Sequence, residues 1–383
     1  MIHLAKREKM NPLAAWGIRL AAFVLGLAVC GLLAFLMVDK LREQPGKIAD
    51  FYKCFIDGIS SSNAKSFFEN RKLWVFMKNT AVLLCIALAL TPAFRMRFWN
   101  IGGEGQTLVG VLAAIAVSLY LGGRKGEECL LPEWLLVVLM FVAAVLAGAL
   151  WGLIPALFKA KWNTNETLFT LMMNYIATFL VSYFLIIWVP SGSSALGKLP
   201  YGSLPSLMIY PAKESAPANK YLLIILISLV LAAVLFIYMK YSKHGYEISV
   251  VGESERTARY VGIKVKTVTV RTMVLSGALC GLTGFLIAAG LDNSVTTESV
   301  GGQGFTAIMV SWLANFNPLL MILTSAIIIF LNQGADQIST TLSVSGAFPN
   351  VVIGVMLFFI IGCEFFINYK ICRSKDEGKE AVR

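Results

Sequence analysis

The sequence predicts an all-α polytopic membrane protein of about ten transmembrane helices. They are expected as two inverted five-helix repeats with broken central helices, both termini being cytoplasmic. Three observations predict this. Of 383 residues, 57% are hydrophobic and 14% charged, where an ordinary soluble domain carries about 25% charged residues. Apolar runs fit to cross a bilayer recur along the chain. A glycine-rich hexad occurs twice, at corresponding places in the two halves. The composition excludes a soluble globular domain and a disordered chain.

Crossing the hydrocarbon core takes about 20 mostly apolar helical residues. The runs that meet or approach this length are Leu13–Val38, Asn79–Phe94, Gln106–Leu121, Trp134–Leu157, Leu168–Val189, Tyr221–Met239, Met273–Leu291, Phe305–Asn315, Leu319–Asn332 and Val351–Phe366. Phe305–Asn315 and Leu319–Asn332 are short. The Asn317-Pro318 step between them reads equally as a break between two helices or a kink in one. The first run follows Lys6, Arg7 and Lys9, yet it is too long for a signal-peptide core and lacks a clear small-residue cleavage site. Leu27-Ala-Val-Cys30 resembles a lipoprotein box only faintly, since Val29 stands where a small residue belongs. The run reads as a retained first helix, with Arg19 able to snorkel to the interface.

This order divides the chain into a cytoplasmic N-terminus (1–12) and a first transmembrane half (13–189) with an external loop at 39–78. An external loop (190–220) leads to a second half (221–367) with a cytoplasmic loop at 240–272, and 368–383 form a cytoplasmic tail. The formal charge is +11, from 33 Lys+Arg against 22 Asp+Glu. Placed on this topology, the inside segments carry 19 Lys+Arg against 13 outside, a modest bias that favours a cytoplasmic N-terminus, and net of the acids the surplus falls almost wholly inside. A nucleic-acid partner is not expected, because the basic loop residues form no aromatic-interleaved groove.

The repeated hexads are Gly102-Gly-Glu-Gly-Gln-Thr107 and Gly301-Gly-Gln-Gly-Phe-Thr306. Both read GGxGxT, and each precedes the third run of its half. Five helices per half is odd, so the halves insert with opposite orientation, the pattern of inverted repeats whose broken helices meet near the midplane. Coincidence is the competing explanation, because the chain has 32 glycines. Exposed backbone in a bilayer must be buried in protein or line a watery cavity, and Glu104 there is costly unless paired or wet. Trp99, Asn100, Gly102, Gly103, Glu104, Gln106, Gly302, Gln303, Phe305 and Asn317 are therefore candidates for a polar path. Hydrogen bonding at helix ends competes for each of them. A further cluster, Asn163 to Tyr175, enters the fifth run. Asn165 or Thr164 suits an N-cap and Glu166 the positive first turn. Asn174, two turns into apolar helix, needs a partner on a neighbouring helix and joins the path candidates.

No metal site or cofactor is expected. The 7 Cys show no CxxC spacing and the 2 His lie far apart. Cys54 and Cys129 both fall outside and either pair or stay free. Gly192-Ser-Ser-Ala-Leu-Gly-Lys198 matches most of a phosphate-binding loop, but Leu199 stands where Ser or Thr would hold magnesium, and no strand precedes it. The chain carries no ATPase of its own. In the loop 240–272, Gly252 ends a short extended piece. Glu253, Ser254, Glu255, Arg256, Thr257, Ala258, Arg259 and Tyr260 then form a short helix stopped by Gly262. Such a helix serves either as a lipid-surface anchor or as a docking element for a cytoplasmic partner.

Several segments carry a family resemblance. Phe98-Trp-Asn-Ile-Gly-Gly-Glu-Gly-Gln106 is similar to the FNIGxEGQ signature of membrane subunits of bacterial ABC importers, in the branched-chain amino acid/simple sugar permease family. Thr164–Ile176 resembles the NEVxxTLMLNYI segment of its nucleoside-type branch. Gly252 with Ala258–Ile263, Leu275–Gly284, and Gln303–Ile308 with Asn317-Pro318 resemble further blocks in family order, from about residue 80 to 320. Trp99 is inserted in the signature. Glu253-Ser-Glu255 replaces the usual Asn with small residues, and Thr167 replaces an aliphatic residue. The long 39–78 loop resembles the longer of the two permeases usually paired in the nucleoside branch.

The resemblance implies a multi-pass protein of the bacterial plasma membrane forming half of a translocation path. It implies a second homologous permease, separate ABC ATPase subunits touching Glu253–Tyr260 and Gly262, an extracellular substrate-binding lipoprotein, and surrounding lipid. Nucleosides are the expected substrates, with a ribose- or galactose-like sugar as the alternative. An ion-coupled secondary transporter is a more distant reading. A membrane-embedded enzyme lacks the paired acids or His-rich motifs it would need.

Overall fold

The structure is a computed structural model. It describes residues 2–6, 11–37, 42, 48–60, 66–124, 129–189, 195–208, 216–344 and 347–373. The last ten residues of the expected tail, most of 39–47, and the start of the Gly192–Lys198 loop lie outside these. Two compact units form, one from the two ends of the chain and one from residues 64–328.

In the terminal unit, strands β1 (Ile2–Lys6) and β2 (Tyr369–Arg373) pair antiparallel. The long helix α1 (Pro12–Met37) packs against α13 (Ala347–Asn368). The 39–78 loop is not wholly a loop. It contains helix α2 (Ile48–Ile59), whose Phe51, Cys54, Phe55 and Gly58 are buried. That i, i+3, i+4, i+7 spacing gives one apolar face. The next helix also starts earlier than expected, at Arg71, because Asn70 caps it by accepting from Leu73 N.

The central unit begins with α3 (Arg71–Arg95) and α4 (Gly103–Val117), the latter running into a π-helical turn at Ser118–Gly122. Helices α5 (Glu133–Trp162) and α6 (Glu166–Trp188) follow, then α7 (Pro217–Tyr241), α8 (Lys243–Glu253) and α9 (Glu255–Tyr260). Helix α10 (Val265–Ile287) also ends in a π turn, and α11 (Gln303–Leu313) and the start of α12 (Pro318–Leu342) complete the unit. Nine helices among the described residues are long and apolar enough to cross a membrane. The tenth expected span is α11, whose 11 residues give a rise of about 16 Å, half the hydrocarbon thickness. Helices α11 and α12 are separate, divided by left-handed Asn315 and Phe316. Only α11 is short.

Helix α10 is the pivot of this unit. Gly148 and Gly152 of α5 face Gly277 and Gly281 of α10 so closely that an added Cβ would fall on the opposite backbone. This is the small-xxx-small contact by which apolar helices associate where no hydrophobic drive distinguishes neighbour from lipid. Residues 195–208 lie along the ends of α4 and α10, with Leu196 N donating to Val295 O and Leu204 N to Ala289 O. The extended piece expected before Gly252 is helix α8 instead. Ser242 caps it by accepting from Gly245 N at 2.9 Å, and Arg271 of α10 pairs with its Glu247. Cys129 is a free thiol.

Candidate functional site: the crossing of the two glycine hexads

Both hexads open a helix, and in both the N-cap residue is a glycine without a side-chain acceptor, Gly102 before α4 and Gly302 before α11. A helix start leaves backbone N–H groups unpaired, which hydrocarbon cannot satisfy. The fold resolves this by bringing the hexads together. The Glu104 carboxylate accepts from Gly302 N at 2.8 Å through one oxygen and from Gly304 N at 2.7 Å through the other. The same carboxylate occupies the first turn of its own helix, so it lies between two positive helix ends. Gly304 has to be glycine here, because a Cβ would fall on the Glu104 backbone.

The loop leading into α4 is held by buried amides. Asn100 is fully buried and Gln106 nearly so. Asn100 Nδ2 donates to Gln106 Oε1 at 3.3 Å and to Ser276 Oγ of α10 at 3.2 Å, while its Oδ1 accepts from Gln106 Nε2 at 3.2 Å and Gly102 N at 3.0 Å. Asn174 of α6 finds the neighbouring partner its position requires. Its Oδ1 accepts from Gly105 N at 2.9 Å and its Nδ2 donates to Ile101 O at 3.0 Å. Thr170, one turn earlier, accepts from Ile101 N at 3.1 Å. Asn100, Gly102, Gly103, Gln106 and Asn174 thus build the turn from behind.

What faces outward is aromatic. Trp99 is 44% exposed and Trp312 48%, and their rings stack at 5.4 Å. Phe94 meets Trp99 edge-on and stacks on Phe316. Phe305, 42% exposed, lies on the same helix as Trp312. Glu104, Gly302 and Gln303 are half-buried, and Gln303 Oε1 has no hydrogen-bond partner among the described residues. Asn317 is not part of the crossing. It lies beyond the far end of α11 and accepts from Leu319 N at 3.1 Å, an Asn-Pro start to α12. The sequence reading missed Ser276, Thr170 and Trp312. Thr170 was accessible from its i, i+4 relation to Asn174, whereas the other two depend on which helices pack together.

At the same end of α3, just before the Asn100 turn, Gly252 of α8 lies on the carbonyl of Arg95, with no room for a Cβ. Helix α9 begins at Glu255, with Ser254 as cap accepting from Thr257 N, so Glu253 closes α8. Ala258 is buried with Met96, Phe98, Ile248 and Met273 in one apolar cluster, while Tyr260 is 93% exposed. Gly262 ends the helix in the left-handed region. Asn165 caps α6, accepting from Thr167 N and Leu168 N, and Glu166 pairs with Lys159 at 2.8 Å.

Comparison with known proteins decides the family. A model of "Branched-chain amino acid transport system / permease component" matches residues 75–361. The chain belongs to this family. It is an ABC transporter permease component with a multi-pass membrane fold. It is 30% identical over 300 residues to the glucose ABC transporter permease protein TsgB13 of Haloferax volcanii, covering 76% of each chain. It is 27% identical over 292 residues to the guanosine ABC transporter permease protein NupP of Bacillus subtilis, covering 76% of this permease and 81% of that one. Identity to the nucleoside ABC transporter permease protein NupB of Lactococcus lactis is 26% over 315 residues, covering 80% and 83%.

Proposed function

We propose that this permease forms half of the translocation path of an ATP-driven importer of nucleosides in the bacterial plasma membrane. The observation that carries the path is the Glu104 bridge to Gly302 and Gly304. A half-length helix whose start is held by a carboxylate from the opposite half supports a path between two repeats of an inverted pair. Trp99, Gln303 and Phe305 face the path, and Asn100, Gln106 and Asn174 keep its turn in shape. A second homologous permease closes the other side. The pairing of the chain ends through β1 and β2 supports termini on one side, the cytoplasmic one.

The power stroke comes from separate ATPase subunits docked on α9. Gly252 against Arg95 and the cluster around Ala258 give that helix a rigid hold on α3, whose end leads into the Asn100 turn. A substrate-binding lipoprotein delivers the solute outside. Neutral nucleosides present hydroxyls and base edges, which amides and backbone groups bind better than a dense charged site. A simple sugar is the second reading, favoured by the similarity to a permease named for glucose.

The test is uptake of labelled nucleosides and hexoses by the complete assembly in proteoliposomes, with and without an inactivated ATPase. Uptake should require active ATPase and prefer nucleosides. Uptake that persists without ATP hydrolysis sinks the importer reading, and preference for hexoses replaces nucleosides with sugars.

A further inference from the structure

A cavity of about 450 Å³ opens where α3 and α7 end, bounded also by α8 and the turn between α11 and α12. Its polar lining is Arg95, Lys240, Ser249, Asn315 and Asn317, and no carboxylate lines it. Arg95 stands in the last turn of α3 and Lys240 in the last turn of α7. Neither has an ion-pair partner among the described residues. The Lys240 ammonium sits over the Phe236 and Tyr241 rings, 5.4 and 5.3 Å from their centroids. Asn317 holds its carbonyl oxygen on Leu319 N, which orients the amide and leaves its NH₂ free to donate. Ser249 spends its hydroxyl proton on Gly245 O, so what the cavity offers is two cations and the amide NH₂ groups of Asn315 and Asn317, the requirements of an anion with several oxygens.

Its depth identifies the anion. Helices α3 and α7 are two of the apolar spans, and a cavity at their last turns lies at headgroup level. The other side of the lining, Phe236 and Leu320, is apolar. Leu320 and its neighbour Leu319 are exposed, an apolar surface on which an acyl chain could lie. Stabilising the helix dipoles accounts for a cation at each helix end, but not for two cations converging with amide donors on one cavity that is apolar toward the bilayer. We propose that this cavity binds the phosphate of an anionic phospholipid, holding the lipid where α3 and α7 meet α8.

The test is native mass spectrometry of the full chain purified with matched phosphatidylglycerol and phosphatidylcholine. Each basic side chain near a headgroup favours an anionic lipid by about fivefold, so the pair predicts retention of phosphatidylglycerol by about twenty-five-fold. Arg95→Gln with Lys240→Gln should bring this to parity, whereas Lys264→Gln with Lys266→Gln, exposed and outside the cavity, should not. Lys240→Gln alone should lose about fivefold, which keeps the test open if the double variant fails to accumulate. No selectivity in the wild type overturns the proposal, as does selectivity that survives the cavity variants. Displacement of the lipid by millimolar glycerol phosphate would assign the site to a soluble phosphate and overturn the lipid. Loss of ATPase binding with unchanged lipid retention would make it a protein interface and overturn it too.

Discussion

Glu104 and Gly304 lie 200 positions apart, yet the carboxylate of one accepts the backbone N–H of the other at 2.7 Å. Its second oxygen does the same for Gly302 at 2.8 Å. One acidic side chain therefore completes the start of a helix in the opposite half of the molecule.

Replacing Glu104 tests what that bridge does. Glu104→Ala leaves two helix-start N–H groups without an acceptor, at about 1–3 kcal/mol each. Glu104→Gln keeps one acceptor oxygen and loses the charge between two positive helix ends. Transport at matched membrane level should fall at least tenfold for Ala and less for Gln. Equal transport in all three forms would leave Glu104 as a helix cap only.

Gly304→Ala attacks the same contact from the other side. The methyl group has no space beside the Glu104 backbone, and forced overpacking costs about 1–3 kcal/mol. Gly354→Ala in α13, where a Cβ meets nothing within 4 Å, is the control and should be neutral or slightly stabilising. Thermal unfolding monitored by size exclusion in detergent separates the two. An unchanged midpoint for Gly304→Ala means that the hexads are not in contact.

Asn100 and Gln106 should behave as one unit. Either Asn100→Ala or Gln106→Ala breaks the reciprocal amide pair and strands the partner in a buried site, at about 1–3 kcal/mol. The double variant should cost less than the sum of the singles, by about 0.5 kcal/mol or more. A strictly additive double-mutant cycle in thermal unfolding would mean that the pair is not formed.

The proposed ATPase contact has its own signature. Tyr260→Cys should form a disulfide with cysteines on the ATPase groove. Tyr260→Ala should weaken ATPase association severalfold while leaving the midpoint of unfolding in place, since the side chain is 93% exposed. Ala258→Asp should instead destabilise, placing a charge in the apolar cluster. Cross-links that form only from α2 would invert the topology.

Much of the fold was legible because it is local. Span positions follow from apolar runs of the right length, and Asn165 announced its own cap because donor and acceptor are neighbours in sequence. Helix α8 was misread as extended, since Gly245 and Gly252 depress helix propensity there. Those glycines serve close packing on the Met239 and Arg95 carbonyls, which a single-strand pattern does not disclose. The early start of α3 was missed because Arg71, Lys72 and Lys78 interrupt the hydropathy without interrupting the helix.

The sequence alone determined that this chain crosses a membrane many times, that its two halves share a GGxGxT break, and that Asn174 and Glu104 needed partners. Near-neighbour chemistry sets those properties: run length, capping and the cost of a polar group in hydrocarbon. Only the tertiary structure decided who the partners are. Glu104 caps α11, Asn100 pairs with Gln106 and Ser276, and Trp99 stacks on Trp312. Those choices depend on which helices approach closely enough, and here that is fixed by glycines on α5 and α10 that let two backbones touch.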